Sequence, residues 1–247
     1  MNYGFRKQFE ELGIMPGDTV LMHSSMKALQ TELTPEEFLQ TLIDYLGAEG
    51  TLLLPALSYD ILGGEAPYRF DSAETPACIG LLPETFRKMP GVVRSQHPTH
   101  SVCAFGAKAV MLTQNHHFDD TPVGANSPFR LLSAVGGKIL MLGNVLRCCT
   151  FMHGMEEIAC APYCLNEHTD EYMVDGELKH LHGHNFKGIV QRYDRIANVL
   201  REPALRTGRI GAADCHLIDA KALQKAATMM MAEDPYFFVD RENEIFG

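Results

Sequence analysis

The sequence predicts an α/β protein in which helices cover a sheet, and three observations carry that expectation. Thr19-Val20-Leu21-Met22-His23 and Thr51-Leu52-Leu53-Leu54-Pro55 are short apolar runs of strand length. Between them, Thr34-Pro35-Glu36-Glu37 opens a helix with an N-cap, a proline in the first turn and early acidic residues. Gly137-Lys138-Ile139-Leu140-Met141-Leu142-Gly143 is a further buried strand ending in glycine, and a helix signal follows it at Thr150. Strands alternating with a helix require a sheet against which helices can bury their apolar faces.

The remaining elements follow in order. Residues 3–12 place Phe5, Phe9 and Leu12 on one helical face, and Gly13 closes the helix. Pro16-Gly17-Asp18 turns the chain into the strand at 19–23, whose end meets Ser24-Ser25; the helix opened at Thr34 runs to about Leu46. Residues 58–77, rich in Gly, Pro, Asp and Glu, read as a long loop, a kind of segment that compact domains keep for function. Gly80 to Lys88 is helix-like, Ser101 to Phe105 strand-like and Ala107 to Asn115 helix-like; a polar loop over 116–128 precedes a helix from Phe129 to Ala134. Tyr172 to Lys179 reads as a hairpin turning on Asp175-Gly176, and helices are expected at about 188–200 and 219–232. With no repeat or linker composition, the expectation is one domain over residues 1–247.

Composition narrows the function classes. A hydrophobic fraction of 46% and a charged fraction of 21% over 247 residues describe an ordinary globular protein with a sizeable core. No apolar run approaches the roughly 18 residues of a membrane span, and Met1-Asn2-Tyr3-Gly4-Phe5-Arg6 lacks the apolar segment of a signal peptide, so a cytoplasmic protein with no membrane partner is expected. The net charge of −10 disfavours nucleic acid and suits a small cationic substrate. Seven cysteines, an odd number without secretory context, predict thiols rather than a disulfide framework. Cys148, Cys149, Cys160, Cys164 and His168 raise a zinc reading, but no C-x2-C pair is present and adjacent cysteines fit tetrahedral ligation poorly, so no metal is expected. His116-His117 and His180, His182 and His184 read as solvated loop or strand histidines.

The densest chemistry lies at Thr150-Phe151-Met152-His153-Gly154-Met155-Glu156. On a helix starting near Thr150, His153 and Glu156 are three apart and share a face, where a carboxylate can orient an imidazole. Imidazole titrates near neutrality, so the pair is a candidate general base and its orienting acid. A capping threonine beside an incidental surface pair is the plainer alternative.

Taken in order, the motifs resemble the aminoglycoside 3-N-acetyltransferase family, also called the antibiotic N-acetyltransferases. The resemblance is carried by Gly17 to Ser25, Gly50 to Pro55, Phe70 to Pro76, Gly80 to Arg87, Pro90 to Ser101, Ser127-Pro128-Phe129, the Thr150 to Glu156 segment and Asp219 to Leu223. It implies a three-layer α/β/α fold around a mixed sheet, an acetyl-coenzyme A cosubstrate, and acetyl transfer to the 3-amino group of an aminoglycoside or a related amino sugar. It further implies that His153 and Glu156 hold the catalytic histidine and the acid that orients it. Thr150, read from its position at the helix start, either caps the helix, the more ordinary role, or donates to the thioester oxygen.

Two segments are then expected to hold acetyl-coenzyme A. His23, Ser24, Ser25 and Met26 stand at a strand end, where amides and hydroxyls cradle an anion or pantetheine; Arg94, Ser95, His97, Pro98, His100 and Ser101 offer a cation, hydroxyls and imidazoles, and Ser127 joins them. Direct transfer is favoured over a rival in which Cys148 or Cys149 takes the acetyl group first, although Cys149 is placed to meet His153 four residues on. Aminoglycoside-modifying members carry acidic residues after the hairpin, whereas here His180 to Lys187 holds no carboxylate. Asp60, Glu65, Glu167, Asp170 and Glu171 are the acidic residues that compensate, and a coenzyme A binder with another acceptor or without turnover is the alternative. A zinc hydrolase is the rival from another class, and a monomer or homodimer is expected.

Overall fold

The computed structural model of the chain describes residues 3–143 and 146–241. Helix α1 (Tyr3–Leu12) ends at Gly13. Strand β1 (Thr19–Ser24) leads through a single helical turn, α2 (Met26–Leu29), to α3 (Pro35–Leu46). Thr34 caps α3 in a full capping box: its hydroxyl accepts from Glu37 N at 3.2 Å, and the Glu37 carboxylate accepts from Thr34 N at 2.8 Å. Then come β2 (Thr51–Pro55), β3 (Tyr68–Phe70), α4 (Leu81–Arg87), β4 (Val93–Arg94), β5 (Val102–Gly106), α5 (Ala109–Thr113), α6 (Pro128–Ala134), β6 (Lys138–Leu142) and α7 (Phe151–Ile158). The second part holds β7 (Leu165–Val174), β8 (Glu177–His184), β9 (Ile189–Gln191), α8 (Ile196–Val199), β10 (Leu205–Ile210), β11 (Ala213–Asp219), α9 (Ala220–Glu233) and β12 (Val239–Arg241).

Seven strands form the main sheet in the order β10-β11-β6-β1-β2-β5-β4. β1 runs parallel to β2 and β6, and the outer pairings are antiparallel, so the sheet is mixed. Its central strands are buried on both faces, which is why they read as unbroken apolar runs. Val20 and Met22 of β1 face a cluster with Phe9, Phe38, Leu42 and Phe86, brought by α1, α3 and α4. Leu21, between them, faces the opposite cluster with Leu112, Phe129, Met155 and Leu223, brought by α5, α6, α7 and α9. This is the three-layer arrangement that the family resemblance implied.

Several expectations need correction. The segment 58–77 holds a 3-10 turn (Tyr59–Gly63) and β3, which pairs with β7 in a separate three-stranded sheet β3-β7-β8. The expected helix at 188–200 begins instead as β9, because Ile189 to Gln191 pairs with β12, some fifty residues away in sequence. The hairpin β10–β11 along the main sheet was not predicted at all. The β7–β8 hairpin is confirmed and is longer than expected; it turns on Asp175 and Gly176, with φ of 48° and 89°, as a two-residue hairpin loop requires. Among the described residues no helix is long and apolar enough to cross a membrane.

The arrangement fixes where a ligand can sit. β1 has β2 on one side and β6 on the other; the chain leaves β1 toward α3 on one face, and leaves β6 toward α7 on the other. A crevice opens at the carboxyl ends of such diverging parallel strands.

Candidate active site

α7 starts beyond the carboxyl end of β6 and carries His153 on its first turn. Gly154 lets the helix lie close to α6: a Cβ there would stand 2.9 Å from Arg130 Cγ and from Val123 Cγ1. His153 Nδ1 is 2.9 Å from Glu156 Oε2, the predicted i,i+3 pair. The Glu156 side chain is 0% exposed and that of His153 is 15% exposed, so this is not an incidental surface pair. Two phenols, unforeseen in the sequence, complete it. Tyr193 donates to Glu156 Oε2 at 2.8 Å and stands 2.9 Å from His153 Nδ1; Tyr163 donates to Glu156 Oε1 at 3.1 Å. Burial, reinforced by the adjacent carboxylate, raises both phenols far above the ordinary tyrosine range, so they remain donors.

Tyr193 is itself held from a distance. Arg192 and Arg195, on either side of it, both pair with Asp240, and Arg195 Nη1 also donates to Phe237 O at 2.7 Å. With Nδ1 committed to Glu156, the ring nitrogen of His153 left for chemistry is Nε2.

His153 lines two cavities. The larger, about 540 Å³, is walled by Met22, Pro55, Leu57, Ile79 and Pro83, with His23, Ser24, Arg147, Cys148, Thr150 and Tyr193 as polar members. His23 Nε2 and Ser24 Oγ are buried there without a protein partner, and buried polar atoms in a native fold are normally paired, so these two are positioned for a ligand. The smaller, about 270 Å³, is lined by Tyr59, His100, Asn166, Asp170, Tyr172 and His184 among others. Thr150 occupies the N-cap position of α7 but its side chain makes no cap bond, so of its two foreseen roles the capping one is absent, and Thr150 lines the larger cavity. Cys149 is fully buried, and burial pushes its thiol up to about 12; it is a packing residue and is not poised to take an acetyl group.

The 94–101 segment is an internal scaffold. Arg94 Nε donates to Ser101 Oγ at 2.8 Å and Nη2 to Ala56 O at 2.9 Å; Nη1 reaches Thr75 O, and the guanidinium lies 4.8 Å over the Phe70 ring. Ser95 Oγ bonds His116 Nδ1 at 2.9 Å and accepts from Val102 N, Ser101 Oγ donates to Ala56 O, and Pro98 O accepts from Ser58. His97 Nδ1 accepts from His100 N at 3.1 Å, and the ring stacks on His116 at 5.0 Å. Of the six residues expected to grip coenzyme A here, His100 alone lines either of these two cavities, and it lines the smaller one.

Ser25 precedes α2 and Met26 begins it, and neither lines the larger cavity. Ser127 is buried at the start of α6, also away from it. Among the proposed acidic residues, Asp170 alone lines the smaller cavity; Asp60, Glu65, Glu167 and Glu171 are exposed. The side chain of His184, expected in solvent, is only 5% exposed: its Nε2 bonds Glu157 Oε1 at 2.8 Å, and its ring stands 4.9 Å from that of His153. Glu157 is thus engaged with His184, Thr121 and the Val123 amide and leaves the orienting role to Glu156. Burial holds His97, His100 and His184 well below the ordinary histidine range and pushes His23 and His116 down to about 3, so all five are neutral at pH 7.

A family profile described as aminoglycoside 3-N-acetyltransferase matches residues 21–232. The chain belongs to the aminoglycoside 3-N-acetyltransferase family. Within it, aminoglycoside N(3)-acetyltransferase VII of Streptomyces paromomycinus is 33% identical over an alignment of 258 positions, gaps included, that covers 90% of this chain and 88% of that protein. Among solved structures, a mutant of aminoglycoside acetyltransferase AAC(3)-IVa in complex with gentamicin is similar with a TM-score of 0.83 at 26% identity, covering 99% of this chain and 95% of that one. AAC-IIIb in binary complex with CoASH is similar with a TM-score of 0.80 at 26% identity, covering 93% and 95%. The residues of this family member that sequence reasoning missed are Tyr163, Tyr193, Arg147 and His184. Tyr193, Arg147 and His184 depend on contacts across 27 residues or more, and Tyr163, only seven residues from Glu156, lies beyond the end of α7, where no helical spacing marks it.

Proposed function

We propose that the chain is an acetyl-CoA-dependent N-acetyltransferase domain that acetylates an amine of an aminoglycoside, at its 3-amino group, or of a related amino sugar, with His153 as general base. One observation carries the reading: His153 is tied through Nδ1 to Glu156, and the same residue lines both cavities. The larger cavity suits the acetylated pantetheine arm, with apolar walls for its methylenes and the orphaned His23 Nε2 and Ser24 Oγ for its amides. Arg147, 58% exposed at the same cavity, is suited to the phosphates. The smaller cavity, bearing Asp170, receives the amine.

In this mechanism His153 Nε2 accepts a proton from the amine as its nitrogen bonds to the thioester carbonyl carbon. Glu156 and the two phenols hold the ring in the Nδ1–H tautomer and balance the imidazolium that forms. Thr150 offers its hydroxyl to the carbonyl oxygen as negative charge develops there. The C–S bond then breaks, and the departing sulfur takes the proton from Nε2, returning the base to its starting state.

The test is thiol release from acetyl-coenzyme A against a panel of aminoglycosides and simple amino sugars, with wild type and His153→Ala. The variant is expected to lose about a hundredfold or more in kcat, the range of a general base; wild-type turnover in the variant refutes the mechanism. A second reading, in which the acceptor is a smaller amine than an aminoglycoside, is favoured by Asp170 being the one carboxylate lining the smaller cavity among the described residues. The simple amino sugars in the same panel decide between them.

A further inference from the structure

Three histidines from three elements meet at the smaller cavity. His100 follows β4, His153 sits on α7 and His184 ends β8, and one nitrogen from each lies within 4.8 Å of the other two. Their ring centroids are 4.7, 4.9 and 5.8 Å apart. In every ring the other nitrogen is held by an oxygen: His100 Nδ1 by Thr99 Oγ1 at 2.9 Å, His153 Nδ1 by Glu156 Oε2 at 2.9 Å, and His184 Nε2 by Glu157 Oε1 at 2.8 Å. An oxygen partner behind each imidazole is how proteins fix the tautomer and aim the remaining lone pair at a metal. His184 Nδ1, the atom so left, is buried without a partner on a side chain only 5% exposed.

We propose that His100 Nε2, His153 Nε2 and His184 Nδ1 form a site for a divalent cation of the zinc class, and that its occupation silences the base. Three imidazole nitrogens with no thiolate select zinc, cobalt or copper over magnesium or calcium, which take oxygen. Tetrahedral bonds of about 2.05 Å set ligand nitrogens roughly 3.3 Å apart, so the rings close inward by less than about 1 Å each. The three histidines line the same cavity of about 270 Å³ as Asp170, which leaves a fourth position for water. Nε2 of His153 has one lone pair, and on a metal it cannot take the proton of an amine. The silencing rests on the acetyl-transfer reading; the site itself does not.

The experiment uses chelator-treated full-length protein. Equilibrium dialysis against zinc chloride is expected to show one ion per chain, and cobalt chloride to give the visible bands of four-coordinate cobalt without a thiolate charge-transfer band. His100→Gln and His184→Gln are each expected to weaken zinc binding at least tenfold, as far as loss of a ligand reaches, while His180→Gln, on the exposed part of β8, binds as wild type. Circular dichroism melts of the metal-free variants confirm folding, and the cobalt spectrum of wild type stands whatever the variants do. Absence of binding, a thiolate band, or stoichiometric binding that survives both substitutions overturns the site. Thiol release is expected to stop as the site fills and to return with chelator; binding with undiminished turnover overturns the silencing and the base role together, and leaves the site.

Discussion

Removing one hydroxyl, Tyr193→Phe, tests how the base is held. Glu156 is fully buried and accepts from three donors: His153 Nδ1, Tyr193 at 2.8 Å and Tyr163 at 3.1 Å. The phenol of Tyr193 also stands 2.9 Å from His153 Nδ1, so its loss frees both partners. A hydrogen bond to a charged group contributes about 1.5–3 kcal/mol. If that support is drawn on most when His153 carries the abstracted proton, the barrier rises by a similar amount, and kcat falls roughly ten- to a hundredfold at about 1.4 kcal/mol per decade. The ring itself stays, so the packing of Tyr193 against the α7 and α9 cluster is kept and KM for acetyl-coenzyme A is expected to change by less than about threefold. Steady-state thiol release with both substrates varied, together with a thermal melt, is the assay. A variant that melts lower and keeps wild-type kcat refutes the reasoning, because the hydroxyl would then serve the fold alone.

Three further outcomes follow from the same contacts. Arg94→Ala, which strips a guanidinium from Ser101, Ala56 and Thr75, is expected to cost about 2–3 kcal/mol and to lower Tm by roughly 5–10 °C; an unchanged Tm with a raised KM for acetyl-coenzyme A would restore the phosphate-binding role that the sequence suggested. Cys149→Ala is expected to keep kcat within about twofold, since a buried thiol pushed up to about 12 is not a nucleophile; ping-pong kinetics in wild type would contradict this. Acid destabilises through the buried histidines: His23 and His116 are held near 3 in the fold against 6.5 when unfolded, so their contribution is full above 6.5 and drains as pH falls toward 3. At pH 5 the loss is about 2 kcal/mol for each, read as a falling urea midpoint between pH 7 and 5; a midpoint flat over that window would show that they are not neutral and buried.

Local chemistry was legible and long-range chemistry was not. β1, β2 and β6 announced themselves because burial on both faces leaves an apolar run, and α3 because Thr34, Pro35 and Glu37 write its start in four residues. β10 and β11 escaped notice because Arg206, Arg209 and Asp214 stand exposed on them and break the apolar pattern of the central strands. The His153 and Glu156 pair was visible, being one helical turn. The partners of Arg94 were hidden for the opposite reason: a cation in a polar stretch looks free until Ala56 and Thr75, from two other segments, supply its acceptors. Likewise nothing near His184 in sequence says that Glu157 waits for it, 27 residues earlier.

If His153 is the base, the clamp on Glu156 also sets when the protein can begin to work. During synthesis Glu156 leaves the ribosome 37 residues ahead of Tyr193, and Tyr193 is in turn braced by Arg192 and Arg195 against Asp240 and Phe237. A nascent or truncated chain that already carries the whole Thr150 to Glu156 segment therefore holds a carboxylate that no phenol yet covers and a histidine that nothing yet aims. Under the proposed mechanism, activity reports on translation as far as residue 240, and fragments left by a stalled ribosome or an early stop codon are expected not to consume acetyl-coenzyme A.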